Sequence, residues 1–145
     1  YELALKNIEL NPHLEEKITL VNKGVSDKRE TIKIRYNDNK GYGGASSLLS
    51  EGVYECDVET LTIEDILKEY DLRNPYLLKI DCEGCEDPIV LNCDLSAFEK
   101  IILEYHTFLT GTKHEKLVSK LEKQGFKVTT IDGDNKLGVI HLHRK

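Results

Sequence analysis

The chain has 145 residues, and 20 Lys and Arg against 26 Asp and Glu give it a formal net charge of −6. A hydrophobic fraction of 39% excludes a disordered chain, and the length fits one compact domain. The acidic balance disfavours sequence-independent binding to nucleic acid, and no apolar run reaches the roughly 20 residues that cross a bilayer. We therefore expect neither nucleic acid nor a membrane as a partner.

The chain contains no methionine, and its first residue is Tyr1. Because translation starts with methionine, we expect further sequence upstream. The first residues already follow a helical pattern, without the features of a signal peptide. The four cysteines then fit reduced thiols in the cytoplasm.

The first predicted elements are a short helix and a strand. Leu3, Leu5 and Ile8 lie on one face of the helix. The helix ends before Pro12, because the residue that precedes a proline is pushed out of the helical region. Residues 18–25 follow as the strand.

Two segments with alternating apolar and polar residues predict a β-hairpin. Residues 31–36 carry basic side chains between apolar ones, and residues 54–59 carry acidic side chains in the same way. Opposite charges on two such strands favour antiparallel pairing. We therefore treat residues 31–60 as an inserted hairpin, with a long loop at residues 37–52.

The second half of the chain alternates strands with helices. Thr62 is the predicted N-cap of a helix that ends near Tyr70. The remaining elements are a strand buried on both faces at residues 76–82, a partly helical segment at 86–98, a buried strand at 100–106, a helix at 114–124, and hairpin strands at 126–131 and 137–143. This alternation is typical of an α/β protein with an antiparallel edge.

Two of the buried strands end in acidic side chains. Asp81 and Glu83 follow one strand, and Glu104 and His106 end the other. Alternate residues of a strand share a face, and open α/β sheets bind ligands beyond the carboxyl ends of their strands. The pattern predicts a site there, although polar residues also collect wherever buried strands meet water.

His106 is the predicted general base, because imidazole exchanges protons near neutral pH. The alternative is a core histidine that is satisfied by a backbone carbonyl.

Two segments carry a resemblance to a known family. The sequence LKIDCEGCE at residues 78–86, followed by ILEYH at residues 102–106, resembles the FkbM family of S-adenosylmethionine-dependent methyltransferases. That family shows L-K-I-D-x-E-G-x-E and then a strand that ends in E-x-H. Weaker matches in the same order cover nearly the whole chain, at residues 7–11, 24–27, 44–48 and 58–63.

The resemblance implies a Rossmann-like class I methyltransferase fold over residues 1–145. The sheet is then α/β and mostly parallel, with strand order 3-2-1-4-5-7-6 and an antiparallel C-terminal hairpin. The first strand, the glycine-rich loop and the acidic end of the second strand have no counterpart here. We therefore expect the sheet to be N-terminally incomplete, with the rest upstream or on another chain.

The resemblance also implies S-adenosylmethionine as the cofactor and a hydroxyl of a small molecule or sugar as the acceptor. Ser46 or Ser47 then lines a lid over the active site. The implied site residues are Asp81, Glu83, Glu104 and His106 for catalysis, and Ser26, Asp27 and Asp81 for cofactor binding.

Other interpretations stay open. A non-catalytic module that has lost cofactor binding is the main alternative, and a thiol oxidoreductase that uses Cys82 and Cys85 is another. His141 and His143 are better explained as solvated surface than as a metal pair, so we expect no metal site. The glycines at 41–44 lack the Lys-Ser/Thr of a phosphate loop. The oligomeric state is open, with a homo-oligomer among the options.

Overall fold

The computed structural model describes residues 1–36, 45–46 and 54–145, and these residues form a mixed α/β structure with two four-stranded sheets. The helices are α1 (Glu2–Glu9), a 3₁₀ helix (Pro12–Lys17), α2 (Ile63–Glu69), α3 (Glu86–Asn92), α4 (Thr107–Thr110) and α5 (His114–Lys123). The strands are β1 (Gly24–Val25), β2 (Thr31–Tyr36), β3 (Ala45–Ser46), β4 (Tyr54–Leu61), β5 (Leu77–Ile80), β6 (Lys100–His106), β7 (Phe126–Gly133) and β8 (Leu137–Arg144).

The first sheet has the strand order β1-β4-β2-β3, and charge pairs line its central β2/β4 ladder. Lys33 lies opposite Asp57 and Arg35 opposite Glu55, which confirms the predicted antiparallel pairing. The Lys33 ammonium also forms ion pairs with Glu55 and Asp57. Exposed pairs of this kind contribute little to stability, so their main effect is on register.

The predicted loop at residues 37–52 lies outside the described residues, apart from β3. The glycines at 41–44 and Ser47 fall in that part of the chain, as does the side chain of Ser46. The division into one domain with an inserted hairpin stays a prediction.

The predicted strand at residues 18–25 is much shorter in the structure. Only Gly24 and Val25 form β1, which pairs in parallel with the end of β4. Ile18 and Val21 are 41% and 39% exposed. Their apolar pattern suggested a strand, but within the described ranges no second strand covers them.

The second sheet has the order β5-β6-β8-β7, and α3 and α5 pack on one of its faces. β5 and β6 are parallel and are joined through α3, whereas β8 runs antiparallel to β6 and β7. The buried face of the sheet and the two helices form the core. Its fully buried apolar residues include Ile89, Val90, Ile101, Leu103, Leu117, Leu121, Phe126 and Ile140.

The expectation of a mostly parallel sheet is wrong. Among the described pairings, β1/β4 and β5/β6 are parallel and the others are antiparallel, so the sheets are not mostly parallel. A parallel pair needs a crossover such as α3 between β5 and β6, whereas consecutive strands such as β7 and β8 pair antiparallel through a short turn.

β5 is not buried on both faces. Tyr76 and Leu77 are 57% and 44% exposed, while Ile80 is buried. β5 forms an edge of its sheet, and α3 and α5 cover only the face that Ile80 shares. In the ranges that the structure describes, no helix is long and apolar enough to cross a membrane.

Candidate active site

A tight turn at residues 81–85 connects β5 to α3. Glu83 has a φ of +51° and Gly84 a φ of +118°. A non-glycine residue in the left-handed region costs about 1 kcal/mol or more, and such residues cluster at functional sites. The chain reverses here, so Glu83 is directed towards the end of β6 rather than continuing the alternation of β5.

Glu86, the first residue of α3, places a fully buried carboxylate under this turn. Its Oε1 accepts a hydrogen bond from the backbone N–H of Cys82 at 3.1 Å, and its Oε2 accepts one from Gly84 at 2.6 Å. A buried charge is tolerated only where partners replace water. The turn supplies those partners, and Glu86 in turn holds its conformation.

His106 ends β6 and brings its imidazole into contact with three carboxylates. Its Nδ1 lies 3.0 Å from Oε1 of Glu86. On the other side of the ring, Nε2 lies 3.4 Å from Oε2 of Glu83 and 3.7 Å from Oε1 of Glu104. The His106 side chain is 4% exposed, whereas Glu83 and Glu104 are 39% and 30% exposed. Nε2 therefore faces the two carboxylates that solvent reaches.

Asp81 lies just beyond the end of β5 and forms an ion pair with Lys79. Its Oδ2 accepts a hydrogen bond from the Lys79 ammonium at 2.6 Å, and this bond raises the pKa of Lys79 above its ordinary value. The structure thus brings Glu83, Glu104 and His106 together. Asp81 is at the same strand end, but it is held by the lysine two residues earlier.

Ser26 and Asp27 lie at the other end of α3. The Ser26 hydroxyl donates to Oδ1 of Asp27 at 3.2 Å, and the Asn92 side-chain amide donates to Oδ2 at 2.7 Å. Asn92 is the last residue of α3, whereas Glu86 is the first. The structure therefore does not bring Ser26 and Asp27 to Asp81. Asp27 instead lines a separate cleft of about 550 Å³.

A comparison with known protein families identifies the domain that contains these strand ends. The family model described as "Methyltransferase FkbM domain" matches residues 1–128 of the chain. The chain belongs to the FkbM methyltransferase family. Comparison with curated proteins and with solved structures gives no match. The matched range contains the turn after β5 and all of β6, and hence every contact of His106 described above.

Two residues of this FkbM domain site were not singled out from the sequence. Glu86 is the last residue of the LKIDCEGCE segment, but its contacts depend on the turn and were not predicted. Phe108, two residues after His106, lies with its ring edge-on to the imidazole at a centroid distance of 5.9 Å. Phe108 is 61% exposed, so an apolar ring faces solvent beside the imidazole.

In the described part of the FkbM domain, no group of three or more His, Cys, Asp or Glu side chains is arranged to hold a metal ion. His143 lies with Nδ1 3.0 Å from the Thr129 hydroxyl, and His141 is exposed on the same strand. Cys82 and Cys85 are not joined by a disulfide in the structure.

Proposed function

We propose that this FkbM domain is a methyltransferase that uses S-adenosylmethionine to methylate a hydroxyl of a small molecule or sugar. The observation that carries the proposal is the contact of His106 with Glu83, Glu86 and Glu104 where β5 and β6 end. A hydroxyl is a weak nucleophile until a base takes its proton, and an imidazole within reach is suited to that task.

Glu86 gives the imidazole a defined role. A carboxylate at Nδ1 favours the tautomer with its proton on Nδ1, which leaves the Nε2 lone pair free to accept one. Once Nε2 is protonated, Glu83 and Glu104 stabilise the resulting imidazolium by their charge. We therefore assign proton acceptance to Nε2 of His106, and orientation of the ring to Glu86.

The strand order supports a Rossmann-like class I sheet as part of this proposal. The order β5-β6-β8-β7 corresponds to the 4-5-7-6 half of that fold. Both the parallel β5/β6 pair and the antiparallel last pair agree with it. In such sheets, the ends of strands 4 and 5 border the ligand site, which is where His106 lies.

The described residues supply only part of a methyl-donor site. S-adenosylmethionine, when bound, provides an activated methyl group. Asp81 lies beside the His106 cluster, but Ser26 and Asp27 are bound to each other and to Asn92 across the length of α3. The proposed mechanism is confined to the acceptor side. A role for Ser26 and Asp27 in donor binding stays a prediction.

Calorimetry with S-adenosylhomocysteine tests donor binding. We expect the chain to bind it, and Asp81→Ala to weaken the affinity at least about tenfold with little change in thermal stability, because Asp81 is partly exposed. The matched control is Asp57→Ala, an exposed aspartate of β4 that pairs with Lys33. Equal affinity in both variants would contradict the assignment of Asp81.

Methyl transfer tests the role of His106. With S-adenosylmethionine and a panel of hydroxylated acceptors, we expect His106→Asn to lower turnover by about 10²–10⁴, the typical contribution of a general base, while S-adenosylhomocysteine binding persists. Glu104→Gln, a milder change at the same site, should lower turnover less. Full turnover in His106→Asn would exclude the imidazole as the base.

A non-catalytic module is the second candidate, and the ion pair that engages the Asp81 carboxylate with Lys79 favours it. In that case the chain keeps the fold but binds no S-adenosylhomocysteine. Measured binding together with methyl transfer eliminates this candidate.

A cytoplasmic location is part of the proposal, because four cysteines without a disulfide are typical of a reducing compartment.

A further inference from the structure

A pair of thiols brackets the turn between β5 and α3. Cys82 and Cys85 are separated by two residues, and both side chains are partly buried. The thiol of Cys82 is hydrogen-bonded to Cys85, so the two sulfur atoms face each other. By contrast, Cys56 is exposed on β4, and Cys93 follows the end of α3.

The surroundings of Cys82 disfavour the loss of its proton. The hydrogen bond to Cys85, followed by burial and the negative charge of Glu86, raises the pKa of Cys82 well above the ordinary value of a thiol. Cys82 therefore keeps its proton and directs it at the sulfur of Cys85. Thiolates, not thiols, attack disulfides. An exchange with a disulfide would therefore start at Cys85, with Cys82 resolving the product.

The four residues from Cys82 to Cys85 also carry the contacts of the candidate active site. The backbone N–H groups of Cys82 and Gly84 bind Glu86, and Glu83 lies against His106. Two of the four residues have positive φ values. A covalent bond between the ends of such a turn constrains the same backbone atoms that bind Glu86.

We propose that Cys82 and Cys85 are a redox modification site, in which a reversible disulfide between them changes how the turn contacts Glu86 and His106. Because disulfide formation requires no methyl transfer, it goes beyond the proposed function and is tested separately from it.

The oxidant is a low-molecular-weight disulfide such as oxidised glutathione. The Cys85 thiolate attacks one of its sulfur atoms and releases glutathione thiolate, which leaves a mixed disulfide on Cys85. Cys82 then loses its proton and attacks the Cys85 sulfur, and the second glutathione departs as a thiolate. The two protons that leave the cysteines go to the two glutathione thiolates. The protein is oxidised by two electrons, and one glutathione disulfide becomes two thiols.

Titration in glutathione redox buffers tests the site. The native chain is equilibrated at rising fractions of oxidised glutathione, quenched with acid, alkylated, and analysed by intact mass and peptide mapping. We expect one oxidised species that has lost two hydrogen atoms, with Cys82 joined to Cys85. Its fraction should be the same whether the titration starts from reduced or oxidised protein. Cys93→Ser, the control, should oxidise in the same way.

Cys85→Ser and Cys85→Ala should both abolish the species that lacks two hydrogen atoms. Two variants are used so that a folding defect in one of them does not decide the test. A stable glutathione adduct in the wild type, or a disulfide that includes Cys56 or Cys93, would overturn the proposed site. So would oxidation that occurs only after the chain unfolds.

NMR of the histidine side chains tests the coupling to the active site. On oxidation, we expect the imidazole signals of His106 to shift, while those of His13, exposed on the 3₁₀ helix, stay unchanged. Disulfide formation without a shift at His106 would overturn the coupling. The failure of the methyltransferase proposal looks different: the reduced chain then binds no S-adenosylhomocysteine, whatever the outcome of the glutathione titration.

Discussion

Oε1 of Glu86 lies 3.0 Å from Nδ1 of His106, and this contact joins the first residue of α3 to the last residue of β6. Both side chains are buried, at 0% and 4% exposure. Because α3 is packed into the core through Ile89 and Val90, the position of the imidazole depends on the packing of that helix. The same carboxylate therefore serves the stability of the fold and the geometry of the candidate site.

Glu86→Ala is expected to lower the free energy of unfolding by about 3 kcal/mol or more. The substitution leaves two backbone N–H groups and one imidazole nitrogen without their acceptor, and each buried unsatisfied group costs about 1–3 kcal/mol. Urea denaturation followed by circular dichroism measures the change. The control is Glu122→Ala, an exposed glutamate of α5. A loss no larger than that of the control would show that Glu86 does not hold the turn.

The sequence pattern was sufficient where a local signal determines the structure. Lys100–His106 forms the predicted strand with its predicted bounds, and α5 ends before Gly125 as expected. The alternation of charge in β2 and β4 predicted their antiparallel pairing. In each case, the apolar period and the charges lie within the segment itself, so no knowledge of distant neighbours is needed.

The pattern was insufficient where burial depends on distant neighbours. The burial of Leu77 depends on which strand and helix flank β5. A local run of apolar residues contains no information about those neighbours. The same holds for Asp27, whose partner Asn92 lies 65 residues further along the chain. The motif contains Glu86, but its contacts could not be predicted because its partners are created by the left-handed turn at Glu83.

Leu103→Ala should destabilise the protein far more than Leu77→Ala. Both remove the same atoms, but Leu103 is fully buried on β6 whereas Leu77 is 44% exposed on β5. We expect a loss of about 2–5 kcal/mol for Leu103→Ala, and well under half of that for Leu77→Ala. Urea denaturation compares the two directly. Similar losses would mean that both faces of β5 are covered, as the sequence pattern had indicated.

Acid should destabilise the ion pair between Arg29 and the start of α2. The hydrogen bond from Arg29, and then that from the Thr62 backbone, hold the pKa of Asp65 well below its usual range. In the unfolded chain, an aspartate has a pKa of about 3.9. The stabilisation is thus complete above that value and is lost as the pH falls towards the lower folded pKa.

Arg29→Met should reduce this acid sensitivity, because the folded pKa of Asp65 then moves closer to that of the unfolded chain. The measurement is the difference in urea midpoint between neutral pH and about pH 3, below the unfolded pKa. Arg73→Met is the control, since Arg73 is exposed and pairs with Asp71 at the opposite end of α2. If all three proteins lose the same stability on acidification, Arg29 does not set the ionisation of Asp65.

Gly138→Ala should destabilise the end of the second sheet more than Gly125→Ala does. Gly138 lies on β8 opposite Tyr105, and a Cβ there would overlap the Tyr105 hydroxyl and the backbone carbonyl of Asp132. The hydroxyl is fixed by its hydrogen bond to the Asp134 carbonyl, and the Asp132 carbonyl belongs to β7, so neither moves freely. Overpacking of this kind costs about 1–3 kcal/mol.

Gly125 offers the contrasting case after α5. Its φ is +93°, but a Cβ there meets no atom within 4 Å, so alanine brings backbone strain of about 1–2 kcal/mol without a clash. Thermal unfolding of both variants separates the two effects, because a second change, Tyr105→Phe, removes the overlapping hydroxyl. In the Tyr105→Phe background, Gly138→Ala should destabilise the protein less than it does in the wild type. The destabilisation by Gly125→Ala should be the same in both backgrounds. Equal destabilisation in the two backgrounds would show that the overlap is with the backbone of Asp132 and Gly133 rather than with the hydroxyl.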